Sequence, residues 1–253
     1  MAPPRRWRLS EGRERPLLEE TEIQRVLVVT AHPDDVDFGA AGTVATWTKA
    51  GIEVTYCIVT DGDAGGFDPD VPRSAIGGIR QAEQRAAAAE VGVTDVRFLG
   101  YPDGRLTVSL DLRRDISRVI REVRPQRVLT QSPERNYQRI YASHPDHLAT
   151  GEATLCAVYP DSRNPFAHPD IADLEAWTVG ETWLMASPEL AHVVDVTDVY
   201  DRKFAALQCH ASQLPGVPQD LDTMLRGWLS TNARAAGLPE GRLAEAFQIL
   251  DTA

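Results

Sequence analysis

The sequence predicts a single three-layer α/β/α domain with a mainly parallel, Rossmann-like sheet. From residue 24 onward, short apolar runs rich in β-branched residues alternate with longer segments whose apolar residues recur at helical spacing. That alternation is typical of parallel strands joined by helices. Neither an internal repeat nor a Gly/Ser linker divides the chain. We therefore expect an N-terminal tail or extension over residues 1–22 and one domain over residues 23–253.

The strands are predicted from apolar runs of suitable length. Val26-Leu-Val-Val29 is continuous and β-branched, as expected of a strand that is buried on both faces of a parallel sheet. The second strand follows a Gly51 turn and ends at a Gly/Asp-rich loop that begins at Thr60. In chain order, the predicted strands are 25–31, 52–59, 96–99, 127–131, 181–185 and 192–196.

The helices are predicted from periodicity and from the residues that end them. Apolar residues recur every three or four positions from Leu112 to Val123, and Pro125 ends that helix. Gly92 ends an Ala- and Glu-rich helix. Residues 214–253 are expected to be mixed or helical. The predicted helices are 40–49, 80–91, 110–123, 148–158 and 199–210.

Composition argues against several classes of function. The 253 residues carry a formal net charge of −11, unlike the clustered basic surface of a nucleic-acid-binding protein. No run approaches the ~18 apolar residues of a membrane span, and the N-terminus lacks the apolar segment of a secretory signal peptide. Three widely spaced cysteines fit free thiols in a reducing compartment. We expect a cytoplasmic protein with no nucleic-acid partner and no stable membrane association.

Two His/Asp motifs follow predicted strands. His32-Pro-Asp-Asp35 comes directly after the first strand, where a dinucleotide-binding protein would carry G-x-G-x-x-G. His144-Pro-Asp-His147 follows the strand 127–131 and a polar loop. Since ligands of open α/β sheets bind beyond the carboxyl ends of the strands, we expect both motifs at the same edge.

One histidine from each motif and one carboxylate would give three protein ligands and leave positions open for water. His32 and Asp35 are three residues apart on a strand-to-helix turn, close enough to converge on one ion. Three ligands with an open position are typical of a catalytic metal site, whereas structural zinc sites are usually closed by four. Zinc is the expected ion, and iron(II) also suits two histidines and one carboxylate.

Each residue taken alone has a simpler interpretation. Asp34 and Asp35 could cap the following helix, and His32 could be a hydrogen-bonded core histidine. The coincidence of two Pro-containing His/Asp motifs after apolar strands of one fold favours the joint site.

Ala31-His-Pro-Asp-Asp35 together with His144-Pro-Asp-His147 resembles the LmbE-like (PIG-L) family of zinc-dependent N-acetylglucosaminyl deacetylases. Members often carry Glu directly after the Asp pair. This chain has Val36 and then Asp37, which leaves the ligands intact and the role of Asp37 open. The likeness extends over most of the chain through weaker segments: Gly42-Thr43, Thr60-Asp-Gly-Asp63, Arg80-x-x-Glu83, Tyr101-Pro-Asp-Gly104 and Asp201-Arg-Lys203 through His210-Ala-Ser-Gln213.

The resemblance implies a role for the residues of both motifs. His32, Asp35 and His147 would bind zinc. Asp34 would be the general base for metal-bound water that attacks an acetamide carbonyl. The chemistry is consistent with this, because zinc lowers the pKa of bound water to about 7 and a neighbouring carboxylate can take the proton.

The resemblance also implies residues that stabilise charge and hold substrate. His144 would donate to the developing oxyanion, as a cation if Asp146 supports the charge. Tyr141 would be a second donor, and Arg80 and Asp103 would contact sugar hydroxyls. The alternatives for these three are a surface-loop tyrosine, a helix-surface charge and an Asp-Gly turn. For His210 a packing role is favoured.

The expected function is a metal-dependent N-deacetylase, a carbon–nitrogen hydrolase acting on an N-acetylglucosamine-type moiety of a small-molecule conjugate. An amidase on a glucosaminyl thiol conjugate and a non-catalytic metal-containing sugar-binding module stay open as alternatives. A metallophosphoesterase is disfavoured, since such enzymes usually need two ions and a larger set of ligands. The sequence does not decide the exact substrate, the residue that protonates the leaving amine, whether a homo-oligomer forms, or the role of the tail.

Overall fold

The structure, a computed structural model, describes residues 17–213 and 218–253. Strands in these ranges form one sheet of seven: β1 (Arg25–Thr30), β2 (Glu53–Thr60), β3 (Asp95–Tyr101), β4 (Arg127–Gln131), β5 (Glu181–Met185), β6 (His192–Asp195) and β7 (Ala244–Asp251). Their spatial order is β3-β2-β1-β4-β5-β7-β6. The first five pair in parallel, and β7 is antiparallel to both β5 and β6. The predicted fold class is confirmed.

Helices cover both faces of this sheet. They are α1 (Asp35–Gly39), α2 (Ala41–Lys49), α3 (Arg73–Glu90), α4 (Leu110–Val123), α5 (Pro145–Cys156), α6 (Tyr200–Gln208) and α7 (Pro218–Ala235). In the described ranges, no helix combines the length and the apolarity that crossing a membrane requires.

The sheet divides the core into two apolar clusters. Val26 and Val28 of β1 belong to one cluster, and Leu27 and Val29 belong to the other. All four are fully buried. Successive side chains of a strand point to opposite faces, so a strand covered on both sides needs apolar residues at every position. The continuous run in β1 is therefore the local cause of the three-layer architecture.

Several helix boundaries differ from the prediction. The helix expected over 40–49 is preceded by a separate short helix, α1, because Ala40 has φ −149° and ψ 5°, outside the helical region. Helix α3 begins at Arg73 rather than at residue 80. Helix α5 begins at Pro145, where a proline is favoured because its missing N–H would have no partner. The second His/Asp motif consequently occupies the first turn of a helix.

The antiparallel edge was not predicted. Residues 244–251 contain Ala, Glu, Gln and Leu, which have good helical propensity, yet they form β7 between β5 and β6. Pairing with two neighbouring strands overrides the local preference. At the other terminus, residues 1–16 of the predicted tail lie outside the described residues, and Leu18 packs against one core cluster.

Candidate metal and active site

The two His/Asp motifs meet at the carboxyl edge of the sheet because β1 and β4 are neighbours in parallel register. His32 lies two residues beyond the end of β1, and Asp35 begins α1. His144 precedes α5, and His147 lies in its first turn. A short connection after β1 and a longer one after β4 thus bring together side chains more than 100 residues apart, such as His32 and Asp146.

The three predicted ligands lie close together, with Asp35 between the two histidines. His147 Nε2 lies 2.9 Å from Asp35 Oδ1, and His32 Nδ1 lies 3.4 Å from Asp35 Oδ2. The ring centroids of the two histidines are 5.2 Å apart. Ligand atoms ~2.1 Å from a tetrahedral zinc ion are ~3.4 Å from one another. Two imidazoles and one carboxylate at this spacing fit zinc or iron(II).

His144 offers a further nitrogen at the same place. Its ring centroid lies 4.9 Å from that of His32 and 5.4 Å from that of His147. One ring nitrogen from each of the three histidines falls within 4.8 Å of the others. The geometry therefore offers two alternatives to the predicted set: the three histidines, or His32 with Asp103 and Asp146.

Two more carboxylates surround His32. Its Nε2 lies 3.0 Å from Asp103 Oδ1 and 3.3 Å from Asp146 Oδ2. The carboxylate of Asp146 also accepts the backbone N–H groups of Gly104 and Leu106, at 2.7 and 3.2 Å. A dense cluster of acceptors thus faces one imidazole.

These charges shift the pKa values of the cluster. Burial opposes protonation of His32, but Asp35, Asp103 and Asp146 raise its pKa to about 12. Burial raises the pKa of Asp35, yet His147 and His32 hold it well below its usual range. The acidic surroundings favour positive charge at this point, which a metal cation would supply.

The ring of His144 is bound differently from the prediction. Its Nδ1 accepts the backbone N–H of Asp146 at 3.2 Å, while the Asp146 carboxylate faces His32. Burial and the neighbouring His32 and His147 lower the pKa of His144. The neutral ring is favoured, with its proton on Nε2. The sequence predicted a cationic His144 only if the Asp146 carboxylate supported its charge. In this geometry that carboxylate contacts His32 instead.

Asp34 has an unusual backbone conformation, with φ +97° and ψ −27°. Its side chain makes no capping hydrogen bond to α1, so the simpler interpretation of this residue as a helix cap does not account for it. Asp34 Oδ2 lies 3.0 Å from Nη2 of Arg80. Burial and the charge of Asp35 raise the pKa of Asp34 to about 6, against the opposing effect of Arg80.

The three predicted substrate contacts differ in accessibility. Arg80 is only 4% exposed, which rules out a helix-surface charge, and its Nη1 donates to the carbonyl of Gly62. Asp103 is also buried, and its Oδ2 accepts the N–H of Ala64 at 3.3 Å. Tyr141 is 73% exposed, and its hydroxyl lies 3.1 Å from Arg139 Nε.

Sequence reasoning missed a buried polar chain behind Asp34. Asp37 Oδ2 lies 2.8 Å from His210 Nε2, and both side chains are fully buried. The same oxygen accepts from Nε2 of Gln84, also at 2.8 Å. The only signal in the sequence was the position of Gln84, four residues after Arg80 and so on the same face of α3.

A cavity of about 760 Å³ opens beside the cluster. Asp35 and His147 line its inner end, and Tyr141 lies on its wall. The remaining wall is largely apolar and comes from α1, the end of β5, the segment after it, and α7: Phe38, Met185, Pro188, Leu190, Met224 and Trp228. The volume lies within the range of ligand-binding pockets.

Comparison with known proteins identifies the family. Residues 27–158 match the PIG-L family, described as GlcNAc-PI de-N-acetylase. The chain is 30% identical over 231 residues to a diacetylchitobiose deacetylase of Thermococcus kodakarensis, covering 90% of this chain and 84% of that protein. It is 33% identical over 208 residues to a probable N-acetyl-α-D-glucosaminyl L-malate deacetylase of Bacillus cereus, covering 80% of this chain and 90% of that protein.

A solved structure agrees with this match. The N,N'-diacetylchitobiose deacetylase of Pyrococcus horikoshii, in complex with an inhibitor, superposes with a TM-score of 0.84 at 28% identity, covering 91% of this chain and 85% of that one. The matched residues 27–158 contain both His/Asp motifs and the strands that carry them. The chain belongs to the PIG-L (LmbE-like) deacetylase family.

Proposed function

We propose that this protein is a metal-dependent hydrolase that removes the acetyl group from an N-acetylglucosamine-type moiety of a small-molecule conjugate. The observation that carries the proposal is the convergence of His32 and His147 on the carboxylate of Asp35, directly after Asp34 in the chain. The relatives named above are a deacetylase of diacetylchitobiose and a probable deacetylase of N-acetylglucosaminyl malate, which supports an N-acetylated amino-sugar substrate.

We assign the metal to His32, Asp35 and His147, and we propose zinc, with iron(II) as the alternative. When bound, such an ion would polarise the acetamide carbonyl and make a coordinated water more acidic. The support for this set is the spacing of its donor atoms and the excess of carboxylates around His32.

Asp34 is the proposed general base. Its pKa of about 6 leaves it ionised at neutral pH and able to take a proton from the attacking water. The guanidinium of Arg80, 3.0 Å away, keeps the carboxylate oriented. The same proton is then available for the leaving amine.

His144 is the proposed donor to the carbonyl oxygen as negative charge develops there. The backbone N–H of Asp146 occupies Nδ1, so Nε2 carries the proton and can donate it in a hydrogen bond. Asp146 acts through that contact and through its carboxylate on His32. Arg80, Asp103 and Tyr141 stay as proposed substrate contacts. Arg80 and Asp103 are buried, so they would contact only a substrate hydroxyl that enters the site.

The substitution Asp34→Asn tests the proposal. We expect about one zinc or iron ion per chain in both proteins. The wild type should release acetate from N-acetylglucosaminides, and the variant should do so with kcat lowered about 10³-fold. Metal content would be measured by elemental analysis and acetate by an enzymatic assay. Asp95→Asn is the matched control, since Asp95 pairs with Arg97 at the amino end of β3, away from the cluster. Near-normal turnover by Asp34→Asn would remove Asp34 as the base, and a wild type without acetate release would remove the deacetylase.

The cavity of about 760 Å³ favours a second candidate, an amidase that removes a larger acyl group from a glucosaminyl conjugate. An acetyl methyl fills a small part of such a volume, and the apolar wall suits an alkyl or thioether chain. N-acyl glucosaminides from acetyl to octanoyl would separate the two. A kcat/KM that rises with chain length supports the amidase, and a maximum at acetyl supports the deacetylase.

We further propose that the protein is cytoplasmic, since its three cysteines are free. We propose residues 23–253 as the catalytic domain.

A further inference from the structure

One helix holds both polar groups of the peptide bond that joins Pro33 to Asp34. The N–H of Asp34 donates to Oε1 of Gln84 at 2.8 Å. The carbonyl oxygen of Pro33, on the opposite side of the same peptide, accepts from Nη2 of Arg80. Arg80 and Gln84 are four residues apart on α3 and therefore project from the same face. The plane of this peptide is fixed from α3.

The orientation of that plane decides where the Asp34 carboxylate points. The angle φ describes rotation about the bond between the peptide nitrogen and Cα, and in Asp34 it is +97°. A side chain with a Cβ rarely adopts this conformation unless its surroundings hold it there. Beyond Asp34 the chain is fixed in turn, because the Asp34 carbonyl accepts the N–H groups of Asp37 and Phe38 at 2.9 and 3.1 Å. The peptide before Asp34 and the helix after it thus determine the direction of the side chain between them.

Gln84 is itself held in one orientation. Its side chain is fully buried, and its Nε2 donates to Asp37 Oδ2 at 2.8 Å. An ionised carboxylate only accepts, so the amide cannot flip without placing its NH₂ against the N–H of Asp34. His210 binds the same oxygen of Asp37 at 2.8 Å from the end of α6. The chain His210–Asp37–Gln84 therefore presents a fixed acceptor to the peptide.

We propose that Gln84 is a positioning residue for the reaction: by accepting the N–H of Asp34, opposite Arg80 on the Pro33 carbonyl, it holds the left-handed conformation that aims the Asp34 carboxylate into the site. This inference rests on the proposed function, because that function makes Asp34 the general base. It assigns a role to Asp37, which the sequence left open, and to His210, for which packing was favoured: together they orient the Gln84 amide.

Gln84→Met tests the inference, because methionine has a similar length and can remain buried but offers no comparable acceptor. We expect kcat on an N-acetylglucosaminide to fall about 30-fold, as for a group displaced from its reactive position, with KM within about twofold and metal content unchanged. Gln81→Met is the matched control on the same helix. Gln81 donates to Asp61 Oδ1 at 2.8 Å, away from the Asp34 peptide, so its kcat should stay within about twofold. Gln84→Leu replaces Gln84→Met if the latter does not fold.

A crystal structure of the variant gives a second readout that needs no activity. We expect φ of Asp34 to leave the region near +97° once its N–H has lost the Gln84 acceptor. Retention of that angle, or a kcat within about twofold of the wild type at full metal content, would overturn the inference. A fall in kcat that matches a fall in metal content would also overturn it. If the wild type releases no acetate, the proposed function fails, and the φ angle still decides whether Gln84 holds the peptide.

Discussion

Strand β4 carries a buried ionic cluster at each end, and the two clusters differ in composition. At the amino end, Arg127 Nη2 lies 3.1 Å from Glu181 Oε2. Its guanidinium lies over the ring of Trp183 at 4.2 Å and that of Trp47 at 5.3 Å. One cation faces one carboxylate, and Trp183 Nε1 donates to the same carboxylate oxygen at 3.1 Å. This end is balanced in charge and closed by aromatic rings.

At the carboxyl end, acceptors outnumber permanent cations. Four carboxylates meet there: Asp34, Asp35, Asp103 and Asp146. In the described part of the chain, Arg80 is the arginine or lysine that pairs with them, and three of the four also contact the single ring of His32. Buried charge without a matching partner is costly. A balanced pair is what a structural role requires, whereas at this end the excess of acceptors is balanced by a proton on His32 or, as we propose, by a bound cation.

The largest expected effect comes from removing a proposed metal ligand at the acceptor-rich end. His147→Ala should lower the metal content from about one ion per chain to near zero and the activity by 10³-fold or more, because the ion supplies several kcal/mol of charge stabilisation. His192→Ala is the control, since that ring packs on Trp183 toward the balanced end at 4.9 Å. Elemental analysis and acetate release would measure both. Full metal occupancy in His147→Ala would break the comparison.

A smaller effect is expected from His144→Ala. If Nε2 of His144 donates to the carbonyl oxygen, kcat should fall about 100-fold while metal content stays near that of the wild type. Asp35→Ala, measured beside it, should lose the metal. The reverse result, metal lost from His144→Ala and kept by Asp35→Ala, would assign the ion to the three histidines instead.

The position of the site could be predicted because it depends on local sequence. Apolar runs define β1 and β4, and in a parallel sheet the residues that follow two neighbouring strands lie at one edge. His32 and His147 could therefore be placed together before their distance was known. Which donors bind the ion is still a prediction, since His144 lies as close to His32 as His147 does.

The support behind Asp34 could not be predicted, because it depends on contacts with no local signature. Gln84 and Asp37 are 47 residues apart, and His210 and Asp37 are 173 apart. A buried hydrogen bond between such residues is decided by how α3 and α6 pack on α1. Strand β7 was missed for a related reason, since its two partner strands, rather than its own residues, impose the extended conformation.

The last test addresses the balanced end and should leave catalysis untouched. Arg127→Met removes the cation and strands Glu181 in the interior, so the free energy of unfolding should fall by about 3–5 kcal/mol, measured by denaturant titration. Metal content and kcat at 25 °C should match the wild type, because the pair lies at the opposite end of β4 from the proposed metal ligands. Arg127→Met combined with Glu181→Gln should recover part of the loss, since the amide oxygen can still accept from Trp183 but its NH₂ would face the Leu18 N–H. Loss of metal from Arg127→Met alone would show that the two ends of β4 are coupled. The charge balance at one end would then not be independent of the charge balance at the other.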